Sequence, residues 1–179
     1  LLASGREAVL VDPQRDAWRF LAVAEQRGWR IRHVLETHVH NDYLSGALET
    51  QAATGAEIAA PARGGYEWAH RAVDEGDWVE IGSLRLTAWA TPGHTPEHLS
   101  WAVEDLASSD PSATSNPAAI FTGGSLIVGS AGRTDLLGPA LTNALTADQQ
   151  RTLRRLAELP DVVEVLPTHG AGSFCSAGP

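Results

Sequence analysis

Short apolar segments alternate with amphipathic segments in the first part of the chain. Residues 8–11 form an apolar run that ends at Asp12-Pro13, as a strand entering a turn does. Between residues 16 and 27 apolar positions recur at helical spacing, with Asp16 to cap the start and Gly28 to end the helix. The pattern predicts, in order, strand 8–11, helix 16–27, strand 31–36, helix 44–54, strand 58–60 and helix 66–73.

The pattern changes after residue 76 to short apolar segments separated by turns, which is typical of antiparallel strands. Strands are predicted at 77–81, 84–90, 99–103 and 118–121, followed by a helix at 146–159 and a last strand at 162–166. Residues 105–117 are rich in Ser, Asp and Pro and have no apolar period, so we expect a mobile surface loop without chemistry there.

Length and composition indicate one globular domain. The chain has 179 residues, of which 43% are apolar and 20% are charged, and we expect residues 1–179 to form a single domain. No stretch reaches the roughly 18 apolar residues that a membrane-spanning helix needs. The sequence begins at Leu1, has no Met and no signal peptide, and so predicts a piece of a longer chain.

Charge and cysteine usage exclude some partners. A formal net charge of −9 repels a phosphate backbone, so nucleic acid is not an expected partner. Cys175 is the only cysteine and has no partner for an internal disulfide. Nothing therefore requires an oxidising compartment, and we expect a cytoplasmic location.

Histidines follow three predicted strands. Strand 31–36 leads into His38-Val39-His40-Asn41-Asp42, strand 84–90 leads into His94, and the last strand leads into His169. A lone histidine beside a turn is more often a surface or hydrogen-bonded residue than a ligand. His38 and His40, however, point to one side of an extended segment, and Asp42 adds an oxygen nearby. Together the three strand ends predict a metal site.

These motifs, in this order, resemble the metallo-β-lactamase superfamily. The carrying segments are Thr37–Asp42, Thr91–Thr95 and Phe121–Gly124. Gly132-Arg133-Thr134-Asp135-Leu136 and the early Asp12-Pro13 are similar to the glyoxalase II and persulfide dioxygenase branch, especially the proteins fused to rhodanese domains. The resemblance implies an α/β fold, a four-layer αβ/βα sandwich, from which terminal elements before Leu1 and after Pro179 are missing.

The resemblance also implies a ligand set, from which this sequence departs. The family's first metal site falls on His38, His40 and His94. The second would use Asp42, position 43, a bridging aspartate and His169, but the chain has Tyr43 and Gly124 at two of these positions. We therefore expect one divalent metal ion, zinc or iron(II), with Asp42 orienting its water or accepting a proton.

Other residues allow two interpretations each. Arg133 suits a substrate carboxylate such as that of glutathione, or forms an ion pair with Asp135. Tyr43 hydrogen-bonds a substrate or metal-bound water, or fills the volume of the absent histidine. Cys175 is a thiol near the site or a small buried hydrophobe. His98 lies outside the metal motifs, and we expect a surface or packing role for it.

Three functions are compatible with the sequence. The first is a mononuclear metal-dependent enzyme similar to persulfide dioxygenases and glyoxalase II, acting on a small thiol-derived, glutathione-type substrate. Within it the resemblance favours sulfur oxidation, with a fused or partner rhodanese domain. The alternatives are a zinc-dependent hydrolase of another ester, amide or lactone, and a degenerate, non-catalytic module of the same fold.

Overall fold

Two five-stranded sheets pack face to face and carry helices on their outer faces. The computed structural model describes residues 1–109, 116–170 and 172–176. Its strands are β1 (Leu2–Ser4), β2 (Glu7–Val11), β3 (Arg30–Leu35), β4 (Glu57–Pro61), β5 (Arg71–Val73), β6 (Trp78–Ile81), β7 (Leu84–Ala90), β8 (Leu99–Asp105), β9 (Ala119–Gly123), β10 (Leu126–Ile127), β11 (Ser130–Ala131) and β12 (Glu164–Pro167). Its helices are α1 (Trp18–Arg27), α2 (Ala47–Thr54) and α3 (Pro139–Ala157).

The first sheet has the order β1-β2-β3-β4-β5. Strands β2 to β5 run parallel, and β1 pairs with β2 antiparallel. Helices α1 and α2 connect the parallel strands. They end at Gly28 and Gly55, which both have the left-handed conformation that glycine adopts without a steric penalty. Ala24 of α1 and Ala47 of α2 pack on the outer face of this sheet.

The second sheet has the order β12-β9-β8-β7-β6, with β12 parallel to β9 and the other pairs antiparallel. Leu156 of α3 packs against Ala102 and Ile120 on its outer face. The inner faces of the two sheets share one core, in which Trp101 is fully buried. The layers are therefore helix, sheet, sheet and helix, which confirms the fold expected from the sequence.

Some predicted elements are wrong or differ in extent. No helix forms at 66–73; residues 71–73 instead extend the first sheet as β5, where Val73 is buried. The rings of Tyr66, Trp68 and His70 pack on one another ahead of it. Helix α3 begins at Pro139, seven residues before the predicted start, because proline is well tolerated in the first helical turn.

Two further differences lie at the edges of the predicted elements. Residues 2–4, which have no assigned element in the prediction, form β1 against β2. Residues 110–115 of the predicted loop lie outside the described residues. Across residues 1–109, 116–170 and 172–176, no helix is both long and apolar enough to cross a membrane.

The strand ends determine where the polar residues meet. Asp12 follows β2, Glu36 follows β3, Thr91 follows β7, Gly124 follows β9 and Thr168 follows β12. Hydrogen bonds join these ends across the two sheets, as between Thr168 and the Asp12 carboxylate. The loops that follow these five strands therefore all lie at one edge of the sandwich.

Candidate metal centre

The histidines predicted from the three strand ends meet at this edge. The ring centroid of His38 lies 4.2 Å from that of His40, 5.1 Å from that of His94 and 5.7 Å from that of His169. His38 and His94 are fully buried, and His169 is 6% exposed. Side chains separated by up to 131 positions in the sequence therefore form one compact cluster.

A hydrogen-bond chain fixes the tautomer of His38. The Thr37 hydroxyl donates to the Asp12 carboxylate at 2.7 Å, and the Thr37 amide donates to it as well. The same hydroxyl lies 2.7 Å from Nδ1 of His38, so it accepts from that nitrogen because its own proton is already used. This leaves the lone pair of His38 Nε2 free.

A backbone carbonyl fixes the tautomer of His94. Its Nδ1 lies 2.9 Å from the carbonyl oxygen of Arg133, which only accepts, so Nδ1 carries the proton and the Nε2 lone pair is free. The Arg133 side chain pairs with Asp135 through two hydrogen bonds of 2.6 and 2.9 Å and lies over the ring of Phe174. Of the two interpretations of Arg133, this geometry is that of the ion pair.

Tyr43 fixes His40 in the opposite tautomer. The Tyr43 hydroxyl donates to the carbonyl of Asp12 and lies 2.9 Å from Nε2 of His40, so it accepts from this nitrogen. The two rings also stack, with centroids 4.2 Å apart. His40 is left with a free lone pair on Nδ1. Tyr43 thus fills the volume of the absent histidine and orients His40 as well.

His169 and Asp42 form the fourth pair. Nδ1 of His169 lies 3.3 Å from a carboxylate oxygen of Asp42, an ion-pair contact that favours a proton on Nδ1, and Nε2 has no hydrogen-bond partner among the described residues. One donor atom from each of His38, His40 and His169 falls within 4.8 Å of the others.

His98 also lies in the cluster, where it has the second of the two roles expected for it, that of a packing histidine. It is buried and stacks on His38, with ring centroids 4.8 Å apart. The amide of Gly124 donates to its Nε2 at 3.0 Å, and its Nδ1 lies 2.9 Å from the Thr91 hydroxyl. Both ring nitrogens are engaged, so His98 supports the site and has no lone pair for a metal. The sequence carries one weak signal for it, the spacing of four from His94.

The four free nitrogens provide the test of whether a metal ion fits. His38 Nε2, His40 Nδ1, His94 Nε2 and His169 Nε2 are all buried without a hydrogen-bond partner among the described residues. Leaving such atoms buried and unpaired is costly unless a ligand satisfies them. They are also the atoms that the hydrogen-bond chains leave deprotonated, so the donor set suits a divalent ion of the zinc or iron(II) type.

The protonation states agree with this assignment. Burial lowers the pKa of His38, His94 and His169, which keeps these rings neutral as metal ligands must be. For His40 burial is the largest single effect and acts in the same direction, but Asp12, through its charge and a hydrogen bond, together with the charges of Glu36 and Asp42 outweighs it and raises the pKa. A bound cation would oppose that protonation.

Asp12 and Glu36 are site residues that the motif analysis did not identify as functional. Both are buried, and their carboxylates lie 3.3 and 3.6 Å from Nε2 of His40. Burial first, and then the charge of Asp12, raises the pKa of Glu36 to about 8. The signal in the sequence is a carboxylate directly after an apolar strand, at Val11-Asp12 and at Leu35-Glu36.

A cavity of about 430 Å³ opens beside the cluster. Asp42, Tyr43 and His169 line the end nearest the histidines, and Phe20 and Phe121 contribute apolar walls. Among the described residues, Arg19 is the only arginine in the lining of the cavity. Its volume is within the range of small-molecule sites.

The fold and the site together define a four-layer αβ/βα sandwich with a histidine site suited to a divalent ion. The sequence pattern of the metallo-beta-lactamase superfamily matches residues 1–169. The chain therefore belongs to the metallo-beta-lactamase superfamily.

Relatives in two branches of known proteins resemble the chain. A hydroxyacylglutathione hydrolase from Polaromonas sp. strain JS666 is 36% identical over 166 residues, which cover 91% of this chain and 57% of the relative. A metallo-beta-lactamase from Staphylococcus aureus superposes with a TM-score of 0.85 at 30% identity, covering 96% of this chain and 51% of that one. ETHE1 from Myxococcus xanthus superposes with a TM-score of 0.78 at 29% identity, covering 99% and 72%.

The chain is shorter than these proteins. It spans 34% to 58% of the length of the hydroxyacylglutathione hydrolases that it matches. The match to the superfamily pattern, residues 1–169, contains all the histidines of the cluster.

Proposed function

We propose that the chain is a metal-dependent enzyme that hydrolyses a glutathione-type thioester at the site formed by His38, His40 and His94. The observation that carries the proposal is the set of three hydrogen-bond chains that leave one free lone pair on each of these rings. His38 and His94 have lowered pKa values and a bound cation would deprotonate His40, so the three rings would give the three-imidazole arrangement of a catalytic zinc site with an open fourth position.

A divalent ion held there would lower the pKa of a bound water from about 15.7 to about 7, making hydroxide available at neutral pH. Asp42 is the carboxylate of the cluster that keeps solvent access, with 23% of its side chain exposed. It is placed to accept the proton of the attacking water and to hold His169 in its tautomer. In the reaction the water oxygen bonds to the acyl carbon, the carbon–sulfur bond breaks, and the thiolate leaves and takes up a proton.

The cavity beside the cluster supports a small thiol-derived substrate. Its apolar walls suit an acyl or thiol chain, and Arg19 at its lining suits a carboxylate such as those of glutathione. The Arg19 side chain is 47% exposed, donates to Gln14 at 2.8 Å and lies 3.7 Å from the Asp16 carboxylate, a longer contact than the 2.6 Å between Arg133 and Asp135. Arg133, which the sequence suggested for this role, is engaged by Asp135. We therefore expect Arg19→Ala to raise KM more than Arg133→Ala does.

The relatives favour hydrolysis, since the matches at 35–36% identity over most of this chain are named hydroxyacylglutathione hydrolases. A specific observation favours a second candidate, the oxidation of a glutathione persulfide. The Myxococcus xanthus ETHE1 structure aligns with 99% of this chain, and the expected relation to persulfide dioxygenases would call for iron(II). The metal identity and the rhodanese partner stay predictions.

The test loads the purified 179-residue chain with zinc or, without oxygen, with iron(II). Hydrolysis of a hydroxyacylglutathione and oxygen consumption with a glutathione persulfide are then measured. We expect thioester hydrolysis by the zinc form, lost in His94→Ala. Activity of the iron form alone, on persulfide, would favour the second candidate.

A matched histidine control separates chemistry from folding. His33 is a partly buried histidine of β3 that pairs with Glu57 at 3.3 Å, away from the cluster. His33→Ala should keep metal and activity, whereas His38→Ala should lose both. If the loaded chain is inactive on both substrates and His38→Ala retains normal metal content, the enzymatic proposal fails and a non-catalytic module remains.

A further inference from the structure

We propose that Gln149 of helix α3 is a positioning residue for His94. Its side chain is buried, although glutamine is usually a surface residue. Its Nε2 donates to the carbonyl of Ser125 at 2.6 Å. The proposal rests on the three-histidine site of the proposed function, and it extends that site to a helix on the outer face of the second sheet.

Hydrogen bonds connect Gln149 to the segment that orients His94. The Ser125 carbonyl, which accepts from Gln149, also accepts from the amide of Gly132 at 3.1 Å. The next residue is Arg133, whose carbonyl lies 2.9 Å from Nδ1 of His94 and accepts its proton. The position of the Arg133 carbonyl, and with it the orientation of the His94 ring, therefore depends on the carbonyl that Gln149 holds.

Gln149 also packs against the backbone next to His94. A Cβ atom at position 93 would lie 2.2 Å from Oε1 of Gln149 and 2.5 Å from its Cα, so the helix approaches this closely only because Gly93 has no side chain. Gly93 has a φ of 145°, which glycine adopts without strain. Gln149 therefore contacts the segment of His94 at a second place.

The same face of α3 binds further carbonyls of this segment. Thr152 is buried and donates to the Pro92 carbonyl at 2.7 Å, and Arg155 donates to the Ala90 carbonyl at 3.4 Å. Residues 149, 152 and 155 are three positions apart and so lie on one face of the helix. The helix therefore follows the chain onward from the end of β7, and Gln149 joins this segment to the one after β9.

The hydrogen bonding of Gln149 argues against a role in packing alone. Its Oε1 is buried and has no hydrogen-bond partner among the described residues, which costs stability. A methionine would fill a similar volume without that cost. The amide is therefore explained by the hydrogen bond that its N–H group donates to Ser125, and this bond acts on the ligand segment.

Small displacements of His94 are enough to weaken metal binding. Metal–ligand distances vary by only about 0.2 Å. Replacing a residue that orients a metal ligand lowers the affinity about tenfold to a hundredfold. Gln149 acts through Ser125 and Gly132 and not directly on the ring, so we expect the lower end of this range.

The test replaces Gln149 by methionine and, separately, by glutamate. Both variants keep the length of the side chain and remove the N–H donor. We expect each to weaken zinc binding about tenfold in competition with a chromogenic chelator. The visible d–d absorption of the cobalt(II)-loaded chain, which reports the geometry of the ligands, should change as well. Gln150→Met makes the same substitution at the exposed neighbouring position and should change neither readout.

A second control separates positioning from the stability of the helix. Leu156 of α3 packs against Ala102 and Ile120. Leu156→Ala should lower the urea concentration at the unfolding midpoint and leave the zinc affinity of the folded chain unchanged. Gln149→Met should do the opposite, because it removes a buried unpaired oxygen while the Ser125 carbonyl keeps the amide of Gly132.

The Nδ1 proton of His94 gives a readout that needs no metal. In the metal-free chain this proton is hydrogen-bonded to the Arg133 carbonyl within a buried residue. Its imidazole N–H resonance, identified by its absence in His94→Ala, should therefore exchange slowly with water. We expect this protection to be lost in Gln149→Met and kept in Gln150→Met.

The outcomes are distinguishable. Wild-type zinc affinity and an unchanged cobalt spectrum in both Gln149 variants would overturn the proposal. An equal loss of affinity in Leu156→Ala would also overturn it, because the effect would then follow from helix stability. A wild-type chain that binds no zinc would count against the proposed function instead, and the exchange of the His94 proton would still decide the role of Gln149.

Discussion

Gly124 occupies the position where the resemblance implies a bridging aspartate, and restoring a side chain there should damage the site. A Cβ atom at position 124 would lie 2.5 Å from Cδ2 of His94, 3.0 Å from its Nε2 and 3.2 Å from Nε2 of His38. Gly124 is not among the glycines in the left-handed region, so these contacts alone decide the effect. The two free nitrogens lie against the bare face of this glycine.

The size of the effect follows from the shortest contact. Ordinary contact begins at 3.4 Å, so the His94 ring must retreat by about 0.9 Å from a Cβ at 2.5 Å. Metal–ligand distances tolerate errors of about 0.2 Å. We therefore expect Gly124→Ala to weaken zinc binding at least about tenfold, or 1.4 kcal/mol. Gly124→Asp should do the same rather than build the conventional second site.

The assay is competition for zinc against a chromogenic chelator. Gly170→Ala is the matched control, because a Cβ at position 170 meets nothing within 4 Å although it lies next to His169. It should bind zinc as the wild-type chain does. Wild-type affinity in Gly124→Ala, or an additional or more tightly bound ion in Gly124→Asp, would refute the steric reasoning.

Three further predictions concern stability and support of the site. The pKa of Glu36, raised from 4.5 to about 8, means that the folded chain holds a proton that the unfolded chain releases above pH 4.5. The stabilisation from the Glu36 proton is therefore fully present below pH 4.5 and is lost as the pH rises through 8. In urea titrations of the metal-free chain, the free energy of unfolding should fall between pH 5 and 8, and in Glu36→Gln this fall should be smaller by about 3 kcal/mol. Tyr43→Phe deletes the hydroxyl that accepts a hydrogen bond from a site histidine, so it should weaken zinc binding about tenfold to a hundredfold, as measured by chelator competition. Tyr66→Phe is the control and should bind zinc normally, because the Tyr66 hydroxyl has no hydrogen-bond partner among the described residues. Trp101→Ala, at a fully buried position, should lower the free energy of unfolding by about 3–5 kcal/mol in urea titrations, and the 70% exposed Trp18 provides a control that should change little.

Apolar periodicity predicts most of the individual strands and helices because it is a local property, whereas their assembly into a sandwich is implied by the family resemblance. Strands β2, β3 and β7 and helix α1 have apolar residues at the spacing that their structure requires, and glycines end both α1 and α2. The helix predicted at 66–73 fails because pairing of β5 with β4 decides the structure of residues 71–73. That pairing is a tertiary contact, which a local spacing does not encode.

The sequence predicts the site residues that belong to metal-binding residue types and directly follow a strand. It misses the residues whose role depends on contacts with distant parts of the chain. His38, His40, His94 and His169 follow strands in recognisable motifs. Asp12 contributes to the family resemblance only as Asp12-Pro13, without a role, and its role depends on hydrogen bonds to residues 25 and 156 positions away. His98 likewise reaches the site through Gly124, 26 positions later. The sequence separates these partners, and the sheet topology joins them.

The two replaced positions support the remaining histidines. The hydroxyl of Tyr43 fixes His40 with its Nδ1 lone pair free, and the amide of Gly124 fixes His98, which stacks on His38. A histidine at 43 would lack the hydroxyl that receives the His40 proton, and an aspartate at 124 would collide with His94. Because both residues fit the present geometry better than the ligands they replace, the three-histidine arrangement is a consistent design of its own.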